Sequence, residues 1–531
     1  MNSYNEISLE RADYPEQVGV SSAEIAKLIK DFAESGIEVH SFMILRGEKV
    51  AYETWASPYA PQIPHMMYSV SKSFTSTAIG FAVSEGLLTL DTKLIDIFPE
   101  YRPEKTDENL EKLNIRHLLT MQSGKSVSLM ANKGKNKWIE DYFDAPWKFS
   151  PGEGWEYISE NQYMLCAALV RVTGMSVIEY LTPRLFEPLG IEIPFWEHDI
   201  NGVEAGGWGL LLKTEDLAKF TCCYHQKGVF MGKQVIPAEW VELATKSQAD
   251  NSTVNNYADG QCGYGYCFWR CAGVEGYRAD GMFSQFGIVD ENSDASFVIT
   301  AGAIETQKTR DCIWRHFPKC LIEPNSEPTP RNLPQLAPLD DAFAPSERSP
   351  LESWIDGRRI EMQKNLVLAT AGFPLSMLPL PVVYMSGDRA GNLNNLVFRF
   401  DKNSCSLTWE EGDEKNTIYC GMDGKLRYAP MTLAGIRFTA AASAEWKDKN
   451  HLTLHVRPVE AVCMRILDFI FEEDKVTLIP TSKMSTKQMM ENLTDTVLAT
   501  IPSLLHRPGE AAFKTLPQIV DAPNKGRLVE E

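Results

Sequence analysis

The chain has 531 residues, 44% of them hydrophobic and 23% charged. That is a globular mixture, which excludes disordered, collagen-like and coiled-coil chains, and the length allows roughly three units of about 150 residues with more than one buried core. Lys and Arg number 52 against 71 Asp and Glu, a formal net charge of −19. No basic stripe offsets it, so a phosphate backbone is repelled and nucleic acid is not an expected partner.

The opening residues Met1 to Glu6 lack a basic region followed by an apolar one, so no secretory signal is read there. No run of about 18 apolar residues occurs, and no membrane span is expected. The 11 cysteines are odd in number and lack disulfide-framework spacing. Reduced thiols and a cytoplasmic location are the simplest expectation. Cys262, Cys267 and Cys271 are the nearest approach to a metal pattern. The aromatics among them, Tyr264, Tyr266, Phe268 and Trp269, alternate as in a strand, and that reading is preferred to zinc.

In chain order, His40–Leu45, Arg46-Gly47-Glu48 and Val50–Glu53 read as a β-hairpin. Ser69 to Leu88 reads as an amphipathic helix with Val70, Phe74, Ala78, Phe81 and Ala82 on one face and Gly86 at its stop. A second helix runs from Asn161 to Val172 and ends at Thr173-Gly174. Strands are expected near Tyr264–Trp269, Tyr277–Ala279, Gln285–Val289 and Ser296–Thr300, then a helix from Glu305 to Cys320. Helices enclosed by strands at both ends indicate an α+β fold, a mostly antiparallel sheet covered by helices, over residues 1–322.

Prolines recur from 324 to 350, and 323–350 reads as an extended linker. Residues 351–531 read as a second domain. A short helix at Leu351–Met362 is followed by strands at Asn395–Phe400, Leu407–Glu410, Thr417–Cys420, Ile436–Thr439, Leu452–Val456, Met464–Phe471 and Lys475–Ile479. Turn signals separate them, which suggests a small β-barrel or sandwich.

One Ser-x-x-Lys stands out: Ser69-Val70-Ser71-Lys72. Ser69 opens the helix, where backbone N–H groups and the dipole favour a developing oxyanion. Lys72 lies one turn on and shares its face. A serine hydroxyl needs a base to become nucleophilic, and lysine serves only when burial or cationic neighbours depress its pKa. Taken alone, the pair reads first as an N-cap and a solvated lysine. Gly124-Lys125-Ser126 ends like a phosphate loop, but Leu119 stands where its first glycine belongs. No Gly-x-Ser-x-Gly elbow is present. His65, four residues before Ser69, is a conceivable base or a structural histidine.

The run Ser69-Val70-Ser71-Lys72-Ser73-Phe74-Thr75-Ser76-Thr77-Ala78-Ile79-Gly80 is followed by Gly86–Asp91, Ile97–Glu100 and Ile115–Gly124. Together these motifs, in order and spacing, resemble the β-lactamase-related serine hydrolases: class C β-lactamases, D,D-peptidases, related esterases and 6-aminohexanoate-dimer hydrolases. The likeness covers roughly residues 15–320. It implies an acyl-enzyme on Ser69, with Lys72 and Tyr157 handling protons and neither metal nor cofactor required. Tyr157-Ile158-Ser159 corresponds to the family's second motif, with Ser159 near Lys72 and Asn161 left to the helix start. A phenol beside an ammonium is expected to favour its phenolate.

The third motif departs from the family. In Ala279-Asp280-Gly281-Met282, Ala279 replaces the cation that holds a substrate carboxylate, and Asp280 adds an anion. The resemblance gives Gly281 a close approach to substrate, and the N–H groups of Ser69 and Met282 an oxyanion hole. A pair of charges at 4 Å is worth roughly 4 kcal/mol at an effective dielectric of 20, so carboxylate-bearing β-lactams are disfavoured. Trp208, in Gly206-Gly207-Trp208-Gly209, either lines the pocket or packs. The C-terminal domain resembles the small lipocalin-like domain of some of these hydrolases through Ala444–Asp448 and Leu452–Val456.

The resulting expectation is a serine hydrolase acting on a small ester, amide or short peptide, with a homodimer as one arrangement. The alternatives are a D-amino-acid-directed peptidase or amidase, with Asp280 on the amine, and a non-catalytic binding protein that keeps the fold.

Overall fold

Seven strands organise the N-terminal part of the chain: Glu10–Arg11 (β1), Val39–Arg46 (β2), Lys49–Trp55 (β3), Trp269–Arg270 (β4), Gly276–Gly281 (β5), Gln285–Asp290 (β6) and Ala295–Ala301 (β7). They form one sheet in the order β1-β3-β2-β7-β6-β5-β4. Every pairing is antiparallel except β1 with β3. The computed structural model describes residues 7–105, 107–126, 137–253, 257–325, 333–364, 393–411, 414–433, 435–485, 487–488 and 521–529. The chain divides after Ala337 into two units, each with its own core.

Five helices matter most in the first unit: Ser22–Glu34 (α1), Ser71–Ser84 (α2), Glu160–Thr173 (α3), Thr214–His225 (α4) and Thr306–Cys320 (α5). Ile25, Leu28 and Phe32 of α1 and Ile313 and Phe317 of α5 cover one face of the sheet, against Phe42, Ile44, Phe286, Ile288, Phe297 and Ile299. Helix α4 covers the other face, across β2, β6 and β7. With both faces covered, β6 and β7 are buried along their whole length and read as continuous apolar runs rather than alternating ones. This is the expected α+β arrangement.

Helix α2 departs from expectation in two ways. A 3-10 turn, Tyr68–Val70, precedes the α-helix, and every residue from Ser71 to Ala82 is buried. The helix is therefore central, not amphipathic, and packs against α3. Several of its Ser and Thr side chains find partners inside: Ser71 Oγ donates to Tyr68 O at 2.6 Å, Ser73 Oγ to Cys267 O at 2.8 Å and Thr75 Oγ1 to Gly206 O at 2.9 Å, whereas Ser76 Oγ has none among the described residues. Polar side chains that satisfy one another this way are compatible with full burial.

Of the expected strand Tyr264–Trp269 only its last residue, Trp269, lies in a strand, β4; before it only isolated bridges occur, Ala249↔Tyr264 and Tyr264↔Trp269. The chain folds back on itself because Cys267 takes a left-handed φ of 64°, and the aromatics fill a cluster instead of alternating across a sheet.

The second unit is a closed barrel. Its strands are Arg359–Met362 (β8), Leu393–Phe400 (β9), Ser404–Glu411 (β10), Glu414–Gly421 (β11), Arg427–Leu433 (β12), Ile436–Trp446 (β13), His451–Pro458 (β14), Arg465–Glu472 (β15), Lys475–Ser482 (β16) and Asn524–Val529 (β17). The order is β11-β10-β9-β8-β17-β16-β15-β14-β13-β12, with β11 also meeting β13. Period-2 alternation fills its interior: Cys405, Leu407 and Trp409 on β10, and Leu467, Phe469 and Phe471 on β15. The expected helix Leu351–Met362 is shorter, Glu352–Ile355, because its last residues form β8. Strand β12 escaped the sequence reading because Pro430 argues against a paired strand; it ends the sheet order, where proline is tolerated.

The described residues at and around the proline-rich stretch make contacts within the unit to which each belongs. Leu321 bridges Val20, Tyr52 OH donates to Pro334 O, and Leu336 N–H donates to Thr54 Oγ1 at 3.0 Å. Beyond residue 338, Asp341 pairs with buried Arg457 at 3.0 Å, and Arg348 reaches the carbonyls of Asp401 and Lys402 at 2.9 and 2.8 Å.

Phe297 is fully buried, stacked on Phe42 and edge-on to Phe317. Phe297→Ala is expected to destabilise the first unit by about 3–5 kcal/mol, read as a lower denaturant midpoint in equilibrium unfolding.

Candidate active site

Ser69 sits in the 3-10 turn that leads into α2, half-exposed at the end of a tightly braced segment. His65 and Met66 pair with Leu212 and Leu211, and Met67 N–H donates to Leu210 O at 2.8 Å. Tyr68 is left-handed, with φ of 48°, a conformation that costs a non-glycine residue about 1–3 kcal/mol and persists only where its surroundings enforce it. Its ring stands edge-on to Phe283 at 5.1 Å. The strained residue thus turns the chain sharply and presents Ser69.

Lys72, one turn along, is 1% exposed. Its Nζ lies 2.9 Å from Ser69 Oγ, 2.9 Å from Ser159 Oγ and 2.7 Å from Gly207 O. Burial pushes its pKa down from 10.5 to about 7, against smaller upward pulls from Cys267, Glu160 and Asp280. An amine near neutrality, touching a hydroxyl, can accept that hydroxyl's proton. Gly207 permits this packing, since a Cβ there would lie 2.7 Å from Ser159 O.

Tyr157 reaches in from the segment before α3 to the neighbourhood of Ser69. Lys72 Nζ stands 4.8 Å from the centre of its ring, over the π face. Trp269, Tyr264 and Trp155 surround it at 5.4, 6.2 and 6.2 Å. Burial in this aromatic cluster raises the phenol's pKa, with Ser69 a smaller opposing effect. The expected phenolate is therefore corrected: desolvation outweighs the nearby amine, and the Tyr157 phenol holds its proton more tightly than it would in water.

The strand β5 carries Asp280 beside this group, and Asp280 does not stand alone. Arg278 Nε donates to its Oδ2 at 2.7 Å and Arg310 of α5 to the same oxygen at 3.1 Å. Both arginines also pair with Asp259, at 3.4 and 3.7 Å. Two guanidiniums and two carboxylates sum to zero, so the anion gained at Asp280 is already compensated. Arg310 was invisible in the sequence because it lies 30 residues away on a helix. Arg278 carried a signal, since two residues apart on a strand share a face.

Gly281 ends β5 against the turn that carries Ser69, where a Cβ would lie 2.4 Å from Met67 O. Met282 follows, exposed, in a turn where Phe283 and Ser284 take φ of 62° and 73°. Trp208 is half-buried, its Nε1 donating to Glu197 at 3.0 Å and its ring 5.9 Å from Trp138. Asn161 accepts from Tyr142 OH at 2.8 Å, within the helix packing. His65 directs Nδ1 to Met66 O at 3.0 Å and Nε2 to His40 at 2.9 Å, which leaves the place beside Ser69 to Lys72.

The family model described as Beta-lactamase matches residues 25–308. The chain belongs to the beta-lactamase family. A 6-aminohexanoate-dimer hydrolase of Paenarthrobacter ureafaciens is 24% identical over 278 residues, 46% of this chain and 66% of that protein. The lovastatin esterase of Penicillium rubens is 29% identical over 157 residues, 24% of this chain and 39% of that one. The chain thus spans between 39% and 66% of the length of these two relatives. A solved family VIII carboxylesterase shares 14% identity over 58% of this chain and 98% of its own, with a TM-score of 0.48.

The beta-lactamase-family match includes Ser69, Lys72, Tyr157, Ser159 and Asp280, and it ends two residues before Arg310. Gly281→Ala is expected to displace β5 from the Ser69 turn and lower kcat/KM about 10²-fold, while circular dichroism reports an intact fold.

Proposed function

We propose that the protein is a serine hydrolase that cleaves an ester or amide bond through an acyl-enzyme on Ser69. The observation that carries this reading is the 2.9 Å contact between Lys72 Nζ and Ser69 Oγ, with the amine out of water. Neutral Lys72 takes the Ser69 proton as Oγ bonds to the substrate carbonyl carbon. The N–H groups of Ser69 and Met282 are the proposed oxyanion donors. The bond to the leaving group then breaks, and the leaving group receives the proton by way of Tyr157. Water completes the cycle, its hydroxyl going to the acyl carbon and its proton back to Ser69.

The substrate class follows from the charge around Asp280. The array of Arg278, Arg310, Asp259 and Asp280 offers no net cation to a carboxylate, which disfavours β-lactams with an acid group. Asp280 is tied to two guanidiniums, which weakens its claim on a substrate amine, so a simple ester or amide is preferred to a D-aminoacyl amide. The relatives named as a lovastatin esterase and a 6-aminohexanoate-dimer hydrolase bracket the same two bond types. A scaffold that only binds has no use for a buried amine against a half-exposed serine.

An activated ester such as p-nitrophenyl acetate is expected to add one acyl mass to the intact chain, and Ser69→Ala to abolish the adduct; labelling that survives in the variant removes Ser69 from the role. Tyr157→Phe keeps the ring packing but lacks the hydroxyl, so kcat should fall by about 10²–10⁴-fold. Lys72 is the acceptor only when uncharged, and its pKa is lowered to about 7. Activity should therefore rise with pH through about 7 and vanish on the acid side, which a pH profile of kcat/KM checks directly.

A further inference from the structure

Glu160 is a carboxyl group at the first position of α3. It opens α3 immediately after Ser159, whose Oγ contacts Lys72 Nζ. Yet Glu160 is 4% exposed, and its Oε1 has no hydrogen-bond partner among the described residues. A buried, incompletely satisfied carboxylate costs free energy and calls for an explanation in function.

The other groups around Lys72 are accounted for. Ser69, Ser159 and the Gly207 carbonyl are neutral. Tyr157 is a neutral phenol, and burial pushes the Cys267 thiol up to about 12, so it is also uncharged. Asp280 is paired with Arg278 and Arg310. On the far side of Glu160, Tyr142 is a phenol raised by burial, its hydroxyl given to Asn161. Glu160 remains as the carboxyl group that interacts electrostatically with Lys72 without an arginine to offset it.

We propose that Glu160 is a positioning residue for the reaction on Ser69, holding the charge that decides whether Lys72 keeps or releases its proton. While Glu160 is ionised it favours the ammonium form of Lys72, and the amine is a poor base. When Glu160 carries a proton, the amine is free to accept one from Ser69. Glu160 directly follows Ser159, whose Oγ contacts Lys72 Nζ at 2.9 Å, and burial raises Glu160 to about 7, the range to which Lys72 is lowered. The assignment rests on the serine-hydrolase reading above.

The test compares full-length wild type with Glu160→Gln, using p-nitrophenyl acetate and acyl adducts read by intact mass across pH 5–9, a range chosen about the ordinary titration of such perturbed groups. Removing the negative charge can only lower the affinity of Lys72 for its proton. The acid limb of kcat/KM should therefore move to lower pH, by about one unit. A uniform loss of rate with an unmoved limb, the signature of a packing role alone, overturns the assignment. A limb displaced to higher pH does the same. Should the glutamine variant not fold, Glu160→Ala removes the same charge in a smaller side chain and carries the same expectation. Wild type that forms no adduct at any pH defeats the hydrolase reading itself, a result distinct from an unmoved limb in an active enzyme.

Discussion

Lys72 brings an amine into the interior, and much of the first unit is arranged around that fact. In water such an amine keeps its proton up to a pH of about 10.4. Deprived of hydration it releases the proton much earlier, provided that its new partners do not hold the charge in place. The three partners meet this condition. Two hydroxyls and a carbonyl satisfy the hydrogen-bonding capacity of Nζ without contributing a formal negative charge. Helix α2 had to be buried on every side for this environment to exist, which accounts for the serines and threonines that bond inward along it.

The same condition explains the charge cluster at the edge of the site. Asp280 lies near enough to Lys72 to pull its pKa up. An unshielded carboxylate there would keep the amine charged. Arg278 and Arg310 draw the charge of Asp280 away, and Asp259 holds the arginines in turn, with Gln307 and Trp314 donating to it at 2.8 and 2.9 Å. The aromatic cluster does comparable service for Tyr157: it keeps a hydroxyl neutral in the neighbourhood of Ser69. Proton chemistry at this site depends on which nearby charges are cancelled and which are left.

The Ser69–Lys72 contact was legible because helical spacing fixes neighbours one turn apart, and Tyr157 and Ser159 were legible through a motif whose flanks match. Strand alternation likewise marked the barrel at Cys405–Trp409 and Leu467–Phe471. What the sequence hid is of another kind. Glu160 sits in Ser-Glu-Asn-Gln, which by composition belongs on a surface, and only the packing of α3 against α2 buries it. Arg310 meets Asp280 through the fold, not through any local pattern. The turn at Cys267 overrode an alternating aromatic run because φ, which no hydropathy pattern records, reverses the chain there. The direction of Tyr157's shift also depends on how many rings enclose it.

Tyr68 carries one more implication. Its left-handed backbone is a conformation that glycine adopts freely, so a selection for heat resistance alone would tend to replace it with glycine or asparagine and gain stability from the relaxed turn. That gain would come with a looser hold on the neighbouring serine, because the ring seated on Phe283 would be gone. Backbone strain and the hold on the Ser69 turn are thus joined in this single residue.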